Sequence, residues 1–393
     1  MEGLICRLSD FGIIPGTDEI LTDKIQAVLD KAAEAGGKVI VPAGTYRTGG
    51  LLMHGGTELH LERGACLLGS DNPEDYKVFA IPDNMTLHTD MEMIPTYFDE
   101  RKNVRVEYRR AIISVYGENS ISITGEGADS VIDGADCFDP EGEEHLRGPH
   151  GIFLTNCKNI KLSNYTIKHC GNFHHQIDTC ENITVSNLQV LGGHDGFHLH
   201  CCKNVEIKDS IIHSGDDCIS GMNMENIEVT GCELNTSCQV FRMGGNRIHI
   251  ENCRIWGPGE YPYRASVIID KGHLRPREEW HTDIISLIEY FSSSVYPIAS
   301  SDGIVLKNCD MENVGKLLFY EYGAETADGA HYCAGTPLAE LIFENCRISG
   351  RCKPSLVKAC KEMPLTVVLK NISGARSEKL FDNRSENLSV EVR

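Results

Sequence analysis

Three aspartates, Asp195, Asp216 and Asp217, stand in the stretch Gly192 to Gly221, with Asp195 and Asp216 separated by 21 residues. Carboxylates held close together repel, so at least one keeps its proton where an isolated Asp would have lost it. A protonated carboxyl beside an ionised one is equipment for breaking a glycosidic bond: one protonates the leaving oxygen while the other activates water. That chemistry requires the three to converge, and the surrounding sequence says how they would.

The stretch lies inside a repeat. Cys157-Lys158-Asn159-Ile160 is echoed by Cys180-Glu181-Asn182-Ile183, Cys202-Lys203-Asn204-Val205 and Met224-Glu225-Asn226-Ile227, with a looser copy at Asn246-Arg247-Ile248. The first apolar positions step by 23, 22, 22 and 21 residues, and the pattern resumes at Ile304, Leu341 and Val367. Each unit alternates apolar and polar over four to six residues, the mark of a half-buried strand. Gly, Asn and Cys bound each unit and leave no room for a long helix. Short strands at this period predict one solenoid turn per unit, each burying its apolar face against its neighbours. Leucine-rich repeats share the period but not this residue pattern. The fold class is therefore all-β, a right-handed parallel β-helix. Residues one coil apart then sit roughly 5 Å apart, which brings Asp195 beside Asp216 and Asp217 on the outer face of one sheet. Phe197, Leu199 and Ile219 point inward, and His198 and Ser220 outward.

These residues carry a resemblance. His194-Asp195-Gly196-Phe197, followed one coil later by Ser214-Gly215-Asp216-Asp217-Cys218-Ile219, resembles the paired acidic motifs of the polygalacturonase family, glycoside hydrolase family 28. The likeness extends upstream through Gly171 to Ile183 and covers most of residues 10 to 256. It implies hydrolysis of an oligosaccharide with inversion at the anomeric carbon. From the crowding, Asp216 is the expected proton donor, with Asp195 and Asp217 holding and activating water; the resemblance implies the same roles. The next coil departs from the family pattern. Where the family has Gly-His-Gly, this chain has Cys238-Gln239-Val240, and the family's uronate-gripping Arg-Ile-Lys has no clear match. Gln239 stands nearest the missing His, and Arg242 is expected to face the cleft. The substrate is accordingly expected to differ from polygalacturonate, with exo action among the readings. The expected substrate-binding residues are His175, His194, His198, Gln239 and Arg242. Two alternatives follow from the same residues: a non-catalytic carbohydrate-binding β-helix, and a uronate lyase or epimerase. A lyase needs a basic proton acceptor, and the central motif offers only Arg242.

Histidines are frequent near the acids, and Asp195 with His194 and His198 would be the candidate metal cluster; packing or sugar hydroxyls account for them more simply. We therefore expect no metal and no cofactor, and no Cys-x-x-Cys pair suggests structural zinc. The formal charge of −20, with no basic stretch, argues against nucleic acid as a partner. It would also repel a long polyanion at a distance. No stretch is apolar for long enough to cross a membrane. The opening Met1-Glu2-Gly3-Leu4-Ile5-Cys6-Arg7 lacks a signal-peptide pattern. Of the 17 cysteines, many recur at one place in the repeat, as expected for a stack of small buried thiols. Together these give a cytoplasmic expectation. The sequence leaves the oligomeric state open.

The elements that position the acids fill one domain, 1–393. Residues 1–45 form a cap segment. Within it, Thr22 to Ala35 has helical apolar spacing at Ile25, Val28, Leu29 and Ala32, with Thr22 as polar cap and Gly36-Gly37 as stop. Such a helix would cover the first coil, whose edge and core are otherwise open. Residues 72–119 and 257–300 lack the repeat and read as insertions flanking the cleft. Tyr261, Tyr263 and Trp280 of the second suit stacking on sugar rings.

Overall fold

Alternation decides which side chains go inside, and in this chain it runs through mostly short strands stacked coil upon coil. The computed structural model describes residues 3–80, 82, 85, 108–142, 144, 146–268, 273–292, 301–323, 333 and 335–393. Among them every pairing between the stacked strands is parallel, as in β1 (His150–Thr155), β2 (His175–Asp178), β3 (Phe197–His200), β4 (Ile219–Thr230), β5 (Gln239–Glu251) and β6 (Ser286–Tyr290). Ile152, His175, Phe197, Ile219, Phe241 and Ile288 stack in one column, and all six are buried. One residue further along, Phe153, Gln176, His198, Ser220, Arg242 and Glu289 stack on the opposite face. A second column contains Lys158–Ser163, Glu181–Ser186 and Lys203–Lys208. A third, in a separate 11-stranded sheet, contains Gln189–Gly192 and Ile211–Ser214. This is the parallel β-helix that the period predicts.

The repeated Asn has a conformational cause. Asn159, Asn182, Asn204 and Asn226 all adopt left-handed backbone, with φ of 57°, 60°, 54° and 59°. Asn tolerates that region better than most residues with a Cβ. Each also donates its side-chain amide to the Asn one coil before, Asn159 to Asn119 at 2.8 Å and the other three at 3.0 Å. The neighbouring Cys157, Cys180 and Cys202 are buried, and all 17 cysteines are free thiols. Their sulfurs bond to backbone carbonyls.

The helix α1 (Thr22–Ala33) buries Ile25, Val28, Leu29 and Ala32 against the first coils. Thr22 is its first helical residue rather than its cap. The hydroxyl accepts instead from the Gly49 amide at 2.7 Å, which ties the helix to the strand layer. The flanking segments also contain repeat structure. Ala111–Tyr116 pairs with β1, and Ser286–Tyr290 pairs with β5, so each segment ends in a rung of the same sheet. Residues 86–107 and 293–300, the middle of the first segment and the end of the second, lie outside the described residues. Among the described residues no helix is long and apolar enough to cross a membrane.

Candidate active site

Asp195, Asp216 and Asp217 sit in the turns that lead into β3 and β4, not on the strands themselves. Carried back two residues from Phe197 and Ile219, the register sets Asp195 beside Asp217, and Gln239 next in line. Side chain and backbone lock this order. Asp195 Oδ1 accepts from the Asp217 amide at 3.3 Å, and Asp217 Oδ1 accepts from the Gln239 amide at 3.1 Å. The three acids therefore converge as expected, but they are not on an open face: Asp195, Asp216 and Asp217 are 3%, 7% and 2% exposed. Residues from outside the repeat lie against them. Arg147 reaches Asp216 Oδ2 at 3.2 Å, braced by Glu144 at 3.2 Å and lying over the Phe173 ring.

Burial sets the electrostatics, and the neighbours divide it unevenly. Burial pushes Asp217 well above the ordinary carboxylate range, and the charges of Asp195 and Asp216 add to the push. At Asp216 burial works the same way but is overcome by His194 and the Arg147 guanidinium, which together hold the carboxyl below its usual range. His194 Nδ1 is 3.9 Å from Asp216 Oδ2, beyond a hydrogen bond. Burial also drops His194 to about 3, so its ring is neutral and Arg147 supplies the charge. The proton thus belongs on Asp217, and Asp216 is ionised. This reverses the expectation that crowding would protonate Asp216, because the pairing with Arg147, 69 residues upstream, was not visible in the repeat. Asp195 is held by three donors' worth of contacts: the Asp217 amide, Ser220 Oγ at 2.6 Å and His198 Nδ1 at 2.7 Å.

The histidines separate by strand parity. His198 faces the acids and stacks on Phe173, ring centroids 4.1 Å apart. His175 does not. It occupies the inward column, stacks on Phe197 at 4.2 Å and bonds to the Gly196 carbonyl and the Tyr165 hydroxyl, both at 3.0 Å. A side chain inside the coil cannot touch a substrate, so His175 is a core residue. Its neighbour Gln176 holds the outward position in that rung. His194 is fully buried, and neither ring nitrogen has a hydrogen-bond partner.

Beyond Asp217 the wall is built by β5 and β6. Gln239 Nε2 donates to Glu289 Oε2 at 2.7 Å, and Arg242 Nε donates to Glu289 Oε1 at 3.4 Å. The Arg242 guanidinium lies over Phe291, 4.2 Å from the ring centre. Glu289 and Arg147 are the two site residues that the sequence did not disclose. Glu289 has one faint signal, the alternation of Ser286 to Tyr290, which lacks the Cys and Asn that flag other rungs.

Oxygens of Asp216 and Asp217 and the sulfur of Cys238 lie within 4.8 Å of one another, close enough to ligate a metal. The donor set does not favour one. Burial pushes the Cys238 thiol well up, it donates to Gln239 Oε1, and Arg147 already brings positive charge to Asp216. The other cluster considered, Asp195 with His194 and His198, does not gather its ligand atoms among the described residues: His198 Nδ1 meets Asp195, while His194 Nδ1 lies toward Asp216 at 3.9 Å.

Residues 91–238 match the model of glycosyl hydrolases family 28. Among curated proteins, the chain is 33% identical over 92 residues to polygalacturonase QRT2 of Arabidopsis thaliana, covering 22% of this chain and 21% of that protein. It is 25% identical over 226 residues to a probable polygalacturonase of Vitis vinifera, covering 54% and 43%. The chain thus spans less than half the length of either relative. In fold it is similar to a hyperthermoactive exopolygalacturonase from Thermotoga maritima, with a TM-score of 0.66 at 13% identity over 100% of this chain and 93% of that one. Joined to the paired acidic motifs on neighbouring rungs, the match over residues 91–238 makes this chain similar to the glycosyl hydrolases of family 28.

Proposed function

We propose that this protein is a glycoside hydrolase that cleaves an oligosaccharide other than polygalacturonate, acting from the chain end. The observation that carries the reading is the division of charge between adjacent carboxyls: a proton on Asp217 beside an Asp216 kept ionised by Arg147. Asp217 then protonates the leaving oxygen. Asp216 takes the proton of the attacking water, and Asp195, fixed by Ser220 and His198, holds the geometry. Positioned proton transfer of this kind is typically worth about 10²–10⁴-fold in rate. The family likeness supports inversion. One distance favours a second reading: oxygens of Asp216 and Asp217 approach within 4.8 Å, closer to the roughly 5–5.5 Å of retaining enzymes than to the roughly 6.5–9.5 Å of inverting ones.

One experiment addresses both. Purified protein is offered a panel of aryl glycosides and pectic oligosaccharides, and the first-formed anomer is read by NMR. Release of single terminal sugars with the opposite anomeric configuration is expected. The starting configuration in the first product would replace inversion by a covalent route through Asp216. Binding of an oligosaccharide without turnover would leave a carbohydrate-binding β-helix.

A further inference from the structure

The family match stops at residue 238, and the far wall of the site, Gln239, Arg242 and Glu289, lies past that point. From that wall we infer that Glu289 is a specificity-determining residue, and that the sugar beside it is neutral, held through its hydroxyl groups and lacking a carboxylate. The inference rests on the glycoside hydrolase reading above and deepens it.

Position comes first. Glu289 is in register with Arg242, Ser220 and His198 on the outward column, two rungs beyond Ser220. Its side chain is 15% exposed and that of Arg242 is 21%, against 4% for Asp195 and 10% for Asp216. The wall is therefore the more accessible part of the site. Glu289 is also held still: one oxygen takes the Gln239 amide and the other the Arg242 Nε. A carboxylate has about four acceptor directions. Two are used, so the remainder suit hydroxyl donors presented by a sugar.

Charge then decides the class. The site gathers four carboxyl groups, Asp195, Asp216, Asp217 and Glu289, against the guanidiniums of Arg147 and Arg242, each already engaged by a carboxylate. A sugar acid would add a negative group beside Glu289 and would have to draw Arg242 away from it. Among the described residues, Lys316 is a further cation that Glu289 acts on. Burial lowers its affinity for a proton, and it lies over the Phe319 ring at 4.5 Å. Like charge placed close in a partly buried site is strongly disfavoured, whereas hydroxyls meeting a fixed carboxylate gain charge-assisted hydrogen bonds.

The test compares wild type with Glu289→Gln and Glu289→Lys on matched aryl glycosides, each neutral hexoside beside its 6-carboxylate counterpart. We expect wild type to favour the neutral member of the cleaved pair. Glu289→Gln should weaken that member about tenfold, mostly in KM with little change in kcat, the scale of one charge-assisted bond. Glu289→Lys should turn the preference toward the uronide. An unchanged thermal midpoint shows that a variant is folded. Should the Gln variant fail that check, Glu289→Asp, which keeps the charge but withdraws it, gives the same KM readout. Better cleavage of the uronide by wild type, or a preference unmoved by Glu289→Gln, overturns the inference while leaving the hydrolase reading intact. If neither member is cleaved, the hydrolase reading fails and calorimetric binding decides: a neutral oligosaccharide bound in preference and weakened by Glu289→Gln upholds the inference, and any other binding result overturns it.

Discussion

In the proposed mechanism Arg147 is the residue on which the chemistry turns, because its guanidinium beside Asp216 favours the proton on Asp217. It holds Asp216 ionised below the usual carboxylate range, so activity should not be lost to protonation of Asp216 until the pH is below the ordinary Asp value of about 3.9. Replacing Arg147 with Met removes the guanidinium and leaves burial opposed only by the neutral His194 and Cys238 side chains, so the Asp216 pKa should rise. The expected outcome is an acidic limb of kcat/KM displaced to higher pH, together with a lower rate near neutrality. An acidic limb that does not move would show that Arg147 does not govern Asp216. Asp217→Asn should lose about 10²–10⁴-fold in kcat and with it the alkaline limb that deprotonation of Asp217 gives to wild type. If Asp216→Asn removes the alkaline limb instead, the proton donor is Asp216, as the motif alone suggested. The acids themselves were legible in the sequence because they lie in the repeat. Arg147 was not, since it comes from a segment whose spacing bears no relation to the coil period.

At the level of the elements, each rung is built from a strand whose parity sorts side chains and a turn whose Asn accepts left-handed backbone. Parity explains both what could be read and what was misread. His198 was placed outward correctly, on Asp195. His175 is expected among the substrate-binding residues, yet its register with Phe197 and Ile219 turns it inward. The Asn ladder allows a test of the rungs free of the chemistry. Asn204 adopts φ of 54°, donates to Asn182 and accepts from Asn226, both at 3.0 Å. Asn204→Ala loses both bonds and keeps a Cβ in a left-handed conformation, which should cost roughly 1–3 kcal/mol. Asn204→Gly loses the same bonds but is relieved of the backbone strain. We therefore expect denaturant melts to rank wild type above Gly and Gly above Ala, with kcat/KM unchanged in both. Equal stability of the two variants would remove the backbone from the explanation of the repeat. Glu289 shows the limit of repeat reading: its rung has neither the Cys nor the Asn, and only its pairing with β5 reveals it.

For the molecule as a whole, the consequence of closing a polar site inside a solenoid is a stability that depends on pH. Burial pushes His150, His175 and His194 down to about 3 and His174 to about 4. All four are neutral and almost completely buried in the folded chain. In the unfolded chain each titrates near the ordinary value of about 6.5. Below that pH the unfolded state binds protons that the folded state does not, so stability falls as pH falls, and the loss continues down to the folded values. Each histidine contributes up to about 1.4 kcal/mol per pH unit inside that window. The effect should exceed that of Asp216, whose own contribution is lost only as pH drops below the ordinary Asp value. Asp217, which keeps its proton in the folded chain and loses it in the unfolded one above about pH 3.9, opposes this trend by one group's share. Denaturant melts from pH 8.5 to 4 should thus show no decline down to about 6.5 and a net decline below it, where four histidines outweigh one carboxyl. His175→Phe, which keeps a ring against Phe197, should lower the baseline through its lost bonds to Tyr165 and Gly196, yet flatten the slope by one histidine's share. A profile level between pH 6.5 and 4 would mean that these rings are not sealed in solution. If the slope is found, loss of activity below about pH 5 should coincide with loss of fold, because the carboxylates are set to keep working at a pH where the histidines no longer let the coils stay closed.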